Sequence, residues 1–368
     1  MTNAPNDRIP PKKPARKGLR IVCIVLACLL LLTLVLGGGY WWLYTSGRRD
    51  WFGQRKDPVQ TPDSLLDGYD EDGSRVVYKG ETYCLNRNLV SILCLGVDKD
   101  AVGQDTTYGS NGQADSIFVA ALDTAAGTLK ILPLSRETLV DVDIYSSSGG
   151  YSGVQNTQLC LAYAYGASGE ESCRNVQRSV SRLLYGIETD AYLAIDLDGL
   201  EVMTDKIGGV QLTALEDVSG YTHIPGDPHT FQPVNIQAGE SLLLDGTLVR
   251  AYIRGRGQDT EANQRRMQRQ KQFFTAFVQK AGSNLKSNIT LLPSYYSAVK
   301  PHLVSDLTLS RITYLAGTTL STGVPTPEYI TIDGTTTLEG EHAAFHPDAA
   351  SLYEAVLAVF YTKQPAEP

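Results

Sequence analysis

Six arginines, Arg250, Arg254, Arg256, Arg265, Arg266 and Arg269, fall within twenty residues of a chain whose formal net charge is −8. The guanidinium group is planar, permanently charged and able to fork onto two oxygens. A run built from Arg, with Lys271 the one lysine that follows, therefore suits phosphate better than a solvated surface requires. A basic helix face in water and a nucleic-acid patch are the competing readings. Two carboxylates stand where they could meet such an anion: Asp98 ends the apolar run of CLGVDKD and Asp115 opens the next in GQADSIF, so one loop can bring both to the same sheet edge. With phosphate oxygens they make a site for Mg2+ (or Mn2+), a hard ion that takes few protein ligands. Turn or capping aspartates are the alternative. Arg136, in ILPLSRETLVDV, follows a strip that should be buried, where an arginine must pair or bind; Glu137 or another nearby acid would satisfy it.

These groups need a scaffold, and the chain supplies an anchor before it. Residues Ile21 to Tyr44 are apolar and, at ~1.5 Å per residue, long enough to cross a hydrocarbon core of roughly 30 Å. The preceding tail, residues 1–20, carries Arg8, Lys12, Lys13, Arg16, Lys17 and Arg20 against Asp7 alone. Positive flanks stay in the cytoplasm, so the body after the span is expected outside the cell, with Tyr40, Trp41, Trp42 and Tyr44 at the outer interface. A cleaved signal peptide would have a shorter apolar region of about 7 to 15 residues and a small-residue cleavage site. Val25-Leu26-Ala27-Cys28 resembles a lipoprotein processing site, but cutting there would leave a strongly apolar run. The first fifty residues hold eight Lys and Arg against two acids, a net +6 that leaves −14 for the remainder. An acidic exported body repels nucleic acid, while a local arginine pocket can still hold a short phosphate group.

Residues 45–75, rich in Asp, Gly, Pro and Ser, read as a linker. VVYKGETYCLN then predicts a hairpin turning at Lys79-Gly80, and LVSILCLGVD a strand buried on both faces. ADSIFVAALD, TLKILPLS, AYLAIDL and GVQLTAL predict further strands. Helices are expected at Gln158 to Tyr165, Asn175 to Tyr185, within LDGLEVMTDKIG, and over 262–281, closed by Gly282 with arginines in its first turns. The expected fold is α/β (mixed α+β): a central, largely buried sheet flanked by helices, behind one transmembrane helix. Cys84, Cys94, Cys160 and Cys173 form an even set outside the span, which predicts a Cys160–Cys173 disulfide and a second between Cys84 and Cys94; four buried thiols are the alternative. No C-x-x-C spacing supports zinc or thioredoxin-like chemistry.

SILCLGVDKD, ADSIFVAALD, ILPLSRETLV, QLCLAYAYG, YLAIDLDGLEVMTDKIGGV and AYIRGRGQDTEANQRRMQRQ occur in that order between Ser91 and Gln270. In these motifs the chain resembles the LytR-CpsA-Psr family of membrane-anchored cell-wall assembly enzymes. The resemblance implies a catalytic domain over 76–361, with a core at 88–282, a C-terminal portion at 283–361 and a tail at 362–368. It also implies Mg2+-dependent transfer of an anionic glycopolymer, such as teichoic acid or capsule, from undecaprenyl pyrophosphate to a peptidoglycan hydroxyl. Carried over residue by residue, Asp98 and Asp115 would hold the metal. Arg136, Arg254, Arg256 and Arg266 would act on the pyrophosphate, with Arg269 and Gln270 completing the clamp. The polyprenyl tail would lie among the buried strands and the apolar face of the Val176 to Leu184 helix. Two positions depart from the family pattern. Asn263, an amide, stands where relatives commonly have an acid, leaving Asp259, Glu261 or a metal-bound group to activate the acceptor, and Gln113 stands where many have arginine.

A non-catalytic polyprenyl-phosphate-binding protein and a lipid-linked-glycan pyrophosphatase are the alternative functions. No G-x-S-x-G, H-E-x-x-H or G-x-x-x-x-G-K occurs, which argues against the familiar serine hydrolases, zincins and P-loop enzymes. His342 and His346 lie four apart with Pro347 next and no third ligand evident, so they read as surface histidines. Asp141/Asp143 and Asp196/Asp198 are D-x-D pairs too short to carry weight.

Overall fold

A computed structural model describes residues 38–53, 68–69, 73–97, 107–224, 227–255, 262–340 and 342–365, apart from the side chains of 69, 227–229 and 262–264. Helix α1 (residues 38–52) comes first. Strands β1 (Gly68–Tyr69), β2 (Arg75–Tyr78) and β3 (Glu81–Leu85) form a small sheet with the last strand, β18 (Tyr361–Lys363). The β2–β3 hairpin turns at Lys79-Gly80 as the sequence indicates. The central sheet has the order β14 (Leu303–Ser305), β9 (Ala191–Ile195), β4 (Leu89–Val97), β5 (Ala114–Asp123), β6 (Thr128–Leu134), β15 (Glu328–Tyr329). Its middle pairs, β4–β5 and β5–β6, are antiparallel, whereas β9 joins β4 and β15 joins β6 in parallel, so the sheet is mixed.

The two faces of this sheet differ. Strand β4 reads as buried on both sides, but its burial alternates: Leu93, Leu95 and Val97 are buried while Ile92, Cys94 and Gly96 are only half-buried. In β5, Ile117, Val119 and Ala121 are buried and Phe118 and Ala120 half-buried. Side chains alternate across a strand, so these are two faces with different covers. The first is sealed by the 3-10 turn Leu159–Ala164, helix α2 (Gly169–Leu183) and helix α8 (Ala349–Phe360), whose apolar residues join one core. The second lies under helix α5 (Ala262–Ser287), helix α7 (Leu309–Thr322) and α1. Phe274 of α5 meets Phe118 at 5.1 Å, and Trp51 and Tyr314 cluster with Ile92 and Leu193.

Helix α2 begins where Ser168 accepts a hydrogen bond from the Glu171 N–H, with Glu170 and Glu171 in the first turn to suit the helix dipole. Its stripe Cys173, Val176, Val180 and Leu183 packs in the core over the first face of the sheet. Buried Asn175 donates to the carbonyls of Asp143 and Ala162, fixing α2 to the hairpin of β7 (Leu139–Tyr145) and β8 (Tyr151–Gln158). A second core forms around helices α3 (Leu197–Lys206) and α4 (Gly246–Arg254), the pair β10 (Val210–Thr213) and β13 (Ser241–Leu244), and the hairpin β11 (Val218–Ile224) and β12 (Asp227–Ile236). Leu244, Val249, Tyr252 and Phe273 meet within it.

Three expectations need correction. Cys160, Cys173, Cys84 and Cys94 are free thiols. Cys173 is enclosed in the α2 core while Cys160 turns toward Arg136, and Cys84 and Cys94 belong to different sheets. Second, α1 runs to residue 52, into the expected linker. Tyr44, Trp51 and Phe52 share a face at helical spacing: Tyr44 and Phe52 pack on Tyr314 at 5.1 and 6.0 Å, and Trp51 donates to the Arg311 carbonyl. Third, α5 passes through Gly282 to Ser287. A Cβ at Gly282 would stand 2.5 Å from Val324, so this glycine permits close packing and does not stop the helix. Among the described residues no helix is long and apolar enough to cross a membrane, and residues 21–37 of the expected span lie outside them.

Candidate functional site

The β5–β6 register positions Arg136. Ile117 pairs with Leu134, and the same ladder continued beyond the strand end sets Asp115 opposite Arg136. Its Nη1 donates to Asp115 Oδ1 and its Nη2 to Gln113 Oε1, with Nη2 also 3.5 Å from Cys160 Sγ. The partner is thus Asp115, not the adjacent Glu137. Gln113 and Asp115 are two residues apart and share a face, so one planar fork serves both. Burial pushes the Cys160 thiol above its ordinary range despite the neighbouring guanidinium, so it meets Arg136 as a neutral thiol. Asp98 lies outside the described residues; the strand that precedes it, β4, ends at Val97, which pairs with Ala114.

The arginine run is divided by the fold. Arg250, only 5% exposed, donates to Glu201 and, at 2.5 Å, to Asp198, joining α4 to α3. His223 of β11 completes this group, whose three candidate ligand atoms lie within 4.8 Å of one another. The guanidinium holds both acids there, and the network acts as a brace between elements. Arg265 and Arg269 both pair with Glu216, at 2.6 and 2.9 Å, so neither is held solely for an anion. Arg269 also donates to the Gly255 carbonyl, and Gln270 to the Ile253 carbonyl at 3.4 Å. Both therefore fasten the C-terminal end of α4, whose last carbonyls need donors. Arg254 is exposed at that end and Arg266 is buried in the first turns of α5; Arg256 lies outside the described residues.

Side-chain contacts set the direction of α5. Gln279 donates to the Pro325 carbonyl, Thr275 meets Tyr329, and Lys271 lies 4.3 Å from the Tyr329 ring, while Tyr329 pairs with Ile131 in parallel register. Going back along α5 therefore means going forward along β6, toward Arg136. Phe274 over Phe118, level with Pro133, agrees. Asp115 lies ~10 Å along the strand beyond Phe118, and Arg266 ~12 Å along the helix before Phe274, both at that end. The first turns of α5 overhang the sheet end that carries Arg136, Asp115 and Gln113.

The model of the LytR_cpsA_psr family matches residues 66–356. The chain belongs to this family. A LytR_cpsA_psr relative from Bacillus subtilis, the polyisoprenyl-teichoic acid–peptidoglycan teichoic acid transferase TagV, is 25% identical over 363 residues, 91% of this chain and 82% of the relative. The crystal structure of B. subtilis TagV aligns with a TM-score of 0.57 at 22% identity, covering 74% of this chain and 96% of TagV. A structure of TagT bound to LI-WTA aligns at 0.52 and 20% identity, covering 74% and 89%. These likenesses establish that the chain has the LytR_cpsA_psr fold. Sequence reading misses Glu216 and Cys160 at the site, since both are brought in from distant segments. Gln113 carried a signal: its two-residue spacing from Asp115 puts both on one face.

Proposed function

We propose that this chain is a membrane-anchored phosphotransferase that moves an anionic glycopolymer from a polyprenyl-pyrophosphate carrier to a peptidoglycan hydroxyl, forming a phosphodiester. The observation that carries this reading is the adjacency of two unlike surfaces. Arg136, Asp115 and Gln113 stand at the end of β5 and β6, and the same sheet carries a half-buried apolar face, with Ile92, Cys94, Phe118 and Leu193, beneath α5, α7 and α1. A pyrophosphate headgroup suits the first surface and a polyprenyl tail the second. The name of TagV and the wall teichoic acid bound to TagT support the glycopolymer as substrate class.

Arg136 would orient the phosphate through its forked donors, and Arg254, Arg256 and Arg266 would complete the clamp, with Arg269 and Gln270 holding the end of α4 in place. Phosphoryl transfer needs positioning and charge neutralisation more than a strong nucleophile. Two carboxylates would suit Mg2+ or Mn2+: Asp115, partly exposed with Arg136 on Oδ1, and Asp98, the residue that follows β4 in sequence. Bound there, the ion would neutralise charge on the phosphate oxygens. Asn263 cannot accept the acceptor's proton, so Asp259, Glu261 or a metal-bound group would take that task. Exposed Trp41 and Trp42 on α1, at the end of the expected span, suit the outer membrane interface.

The test incubates the full-length chain in detergent with a polyprenyl-pyrophosphate-linked oligosaccharide and peptidoglycan, with and without Mg2+, alongside Arg136→Ala, and follows the sugar by mass spectrometry. Sugar-phosphate on the acceptor, dependent on metal and on Arg136, is the expected result. Free glycan without acceptor product would make the protein a pyrophosphatase, and bound but unchanged donor would make it a lipid-binding protein.

A further inference from the structure

The β7–β8 hairpin starts beside the phosphate site and serves no part of the mechanism described so far. Strand β7 begins three residues after Arg136, and β8 ends at Gln158, two residues before Cys160. At ~3.3 Å per residue, β7 carries the chain about 23 Å from that point. Three tyrosines gather at its far end. Tyr145 and Tyr151 face each other across the strands with rings 5.6 Å apart, and Tyr108 lies 5.3 Å from Tyr145. The Tyr108 hydroxyl donates to Glu171, and its ring is 3.0 Å from where a Cβ at Gly149 would stand, so the turn at the hairpin tip closes on it. Gly149 has φ +85°, which fits glycine there twice over. Tyr151 is 60% exposed and Val154 50%, with Ser152, Gln155 and Asn156 also open to solvent.

We propose that this hairpin, with Tyr108, is a binding platform for an uncharged glycan strand, the acceptor in the reaction proposed above, on which the assignment rests. Aromatic faces with a polar rim offer stacking surface at small entropic cost, and neutral amides and hydroxyls match sugar hydroxyls in donor and acceptor character. Charge selects the occupant. From Leu139 to Gln158 there is no Lys or Arg but two carboxylates, Asp141 and Asp143. Of the α2 arginines alongside, Arg178 and Arg182 pair with Asp143 and Arg174 with Glu170. A polyanionic donor polymer gains nothing on such a surface, whereas a neutral polysaccharide is not repelled. The distance from the tip to Arg136 calls for an extended strand with a hydroxyl delivered to the phosphate, not a single sugar.

The test uses the full-length chain in detergent with a fluorescent, short β-1,4-linked N-acetylglucosamine oligomer, read by anisotropy, and an oligo(glycerol phosphate) as the anionic arm. The neutral oligomer should bind with little salt dependence, Tyr151→Ala should weaken it about tenfold, and Tyr151→Phe should retain it. In the transfer assay Tyr151→Ala should raise the acceptor KM and leave the donor KM unchanged. Unchanged oligomer affinity in Tyr151→Ala, or Tyr151-dependent binding of the anionic oligomer alone, would overturn the proposal. Tyr151-dependent binding without any transfer leaves the platform standing and removes the transferase reading; transfer with an unmoved acceptor KM does the reverse.

Discussion

Arg136 shows how one residue type can do what another of equal charge cannot. Its fork meets Asp115 and Gln113 together, a geometry that a lysine ammonium, a single point, does not reproduce. Arg136→Lys should keep the fold, with Tm within a few degrees of wild type, and lower kcat about 10²-fold, the scale of losing one preorganised donor to developing charge. Equal rates in the transfer assay would remove Arg136 from the phosphate site. Asp143 illustrates a buried carboxylate with a structural task. Burial raises its pKa, but Arg182 and Arg178, at 2.7 and 2.8 Å, outweigh that and hold it below the ordinary carboxylate value. A depressed native pKa contributes stability above the unfolded value of about 4 and loses it as pH falls through the native one. Asp143→Asn should therefore cost about 2 kcal/mol at neutral pH, discounted because both arginines are partly exposed, and the gap to wild type should narrow below about pH 4 in urea titrations.

At the scale of elements, the joint between α4 and α5 positions the arginines. Glu216 holds Arg265 and Arg269 together, and Arg269, 2% exposed, in turn holds the Gly255 carbonyl at the end of α4. Glu216→Gln leaves a buried guanidinium without its counter-charge and should cost about 3 kcal/mol, seen as a lower denaturation midpoint. Donor KM should rise with it, because Arg254 then sits on a loosened helix end. Gly282→Leu tests the other end of α5: with Val324 already at 2.5 Å from a Cβ position, the larger side chain should destabilise by about 2 kcal/mol, whereas a stop-signal glycine on an exposed helix end would tolerate it.

The whole molecule joins an expected membrane segment to its body through α1. Trp51 is 4% exposed and shares a cluster with Val90, Ala191, Leu307 and Tyr314, so α1 forms part of the cover over the second face of the sheet. A chain shortened to begin at residue 53 should uncover that cluster and show a lower Tm than one beginning at residue 38. Equal melting temperatures would mean that α1 is dispensable cover. The same arrangement places Tyr40, Trp41 and Trp42 immediately before the packed portion of the helix, which suits a body held close to the bilayer surface.

The sequence alone indicated the family, the hairpin at Lys79-Gly80 and the strands β4, β5, β6, β9 and β10. These depend on local composition and spacing, as in the apolar runs of β4 and β5 and the Lys79-Gly80 turn. It also indicated that Arg136 needed a partner, without distinguishing Asp115 from Glu137. Tertiary structure decided which acids three of the clustered arginines meet: Arg250 goes to Asp198 and Glu201, Arg265 and Arg269 to Glu216. It decided that Cys160 meets a guanidinium instead of Cys173, and which helices cover each face of the sheet. The physical reason is the same in each case. Charge pairing and burial act through space between segments far apart in the chain, and no local spacing records which distant segment the fold will bring near.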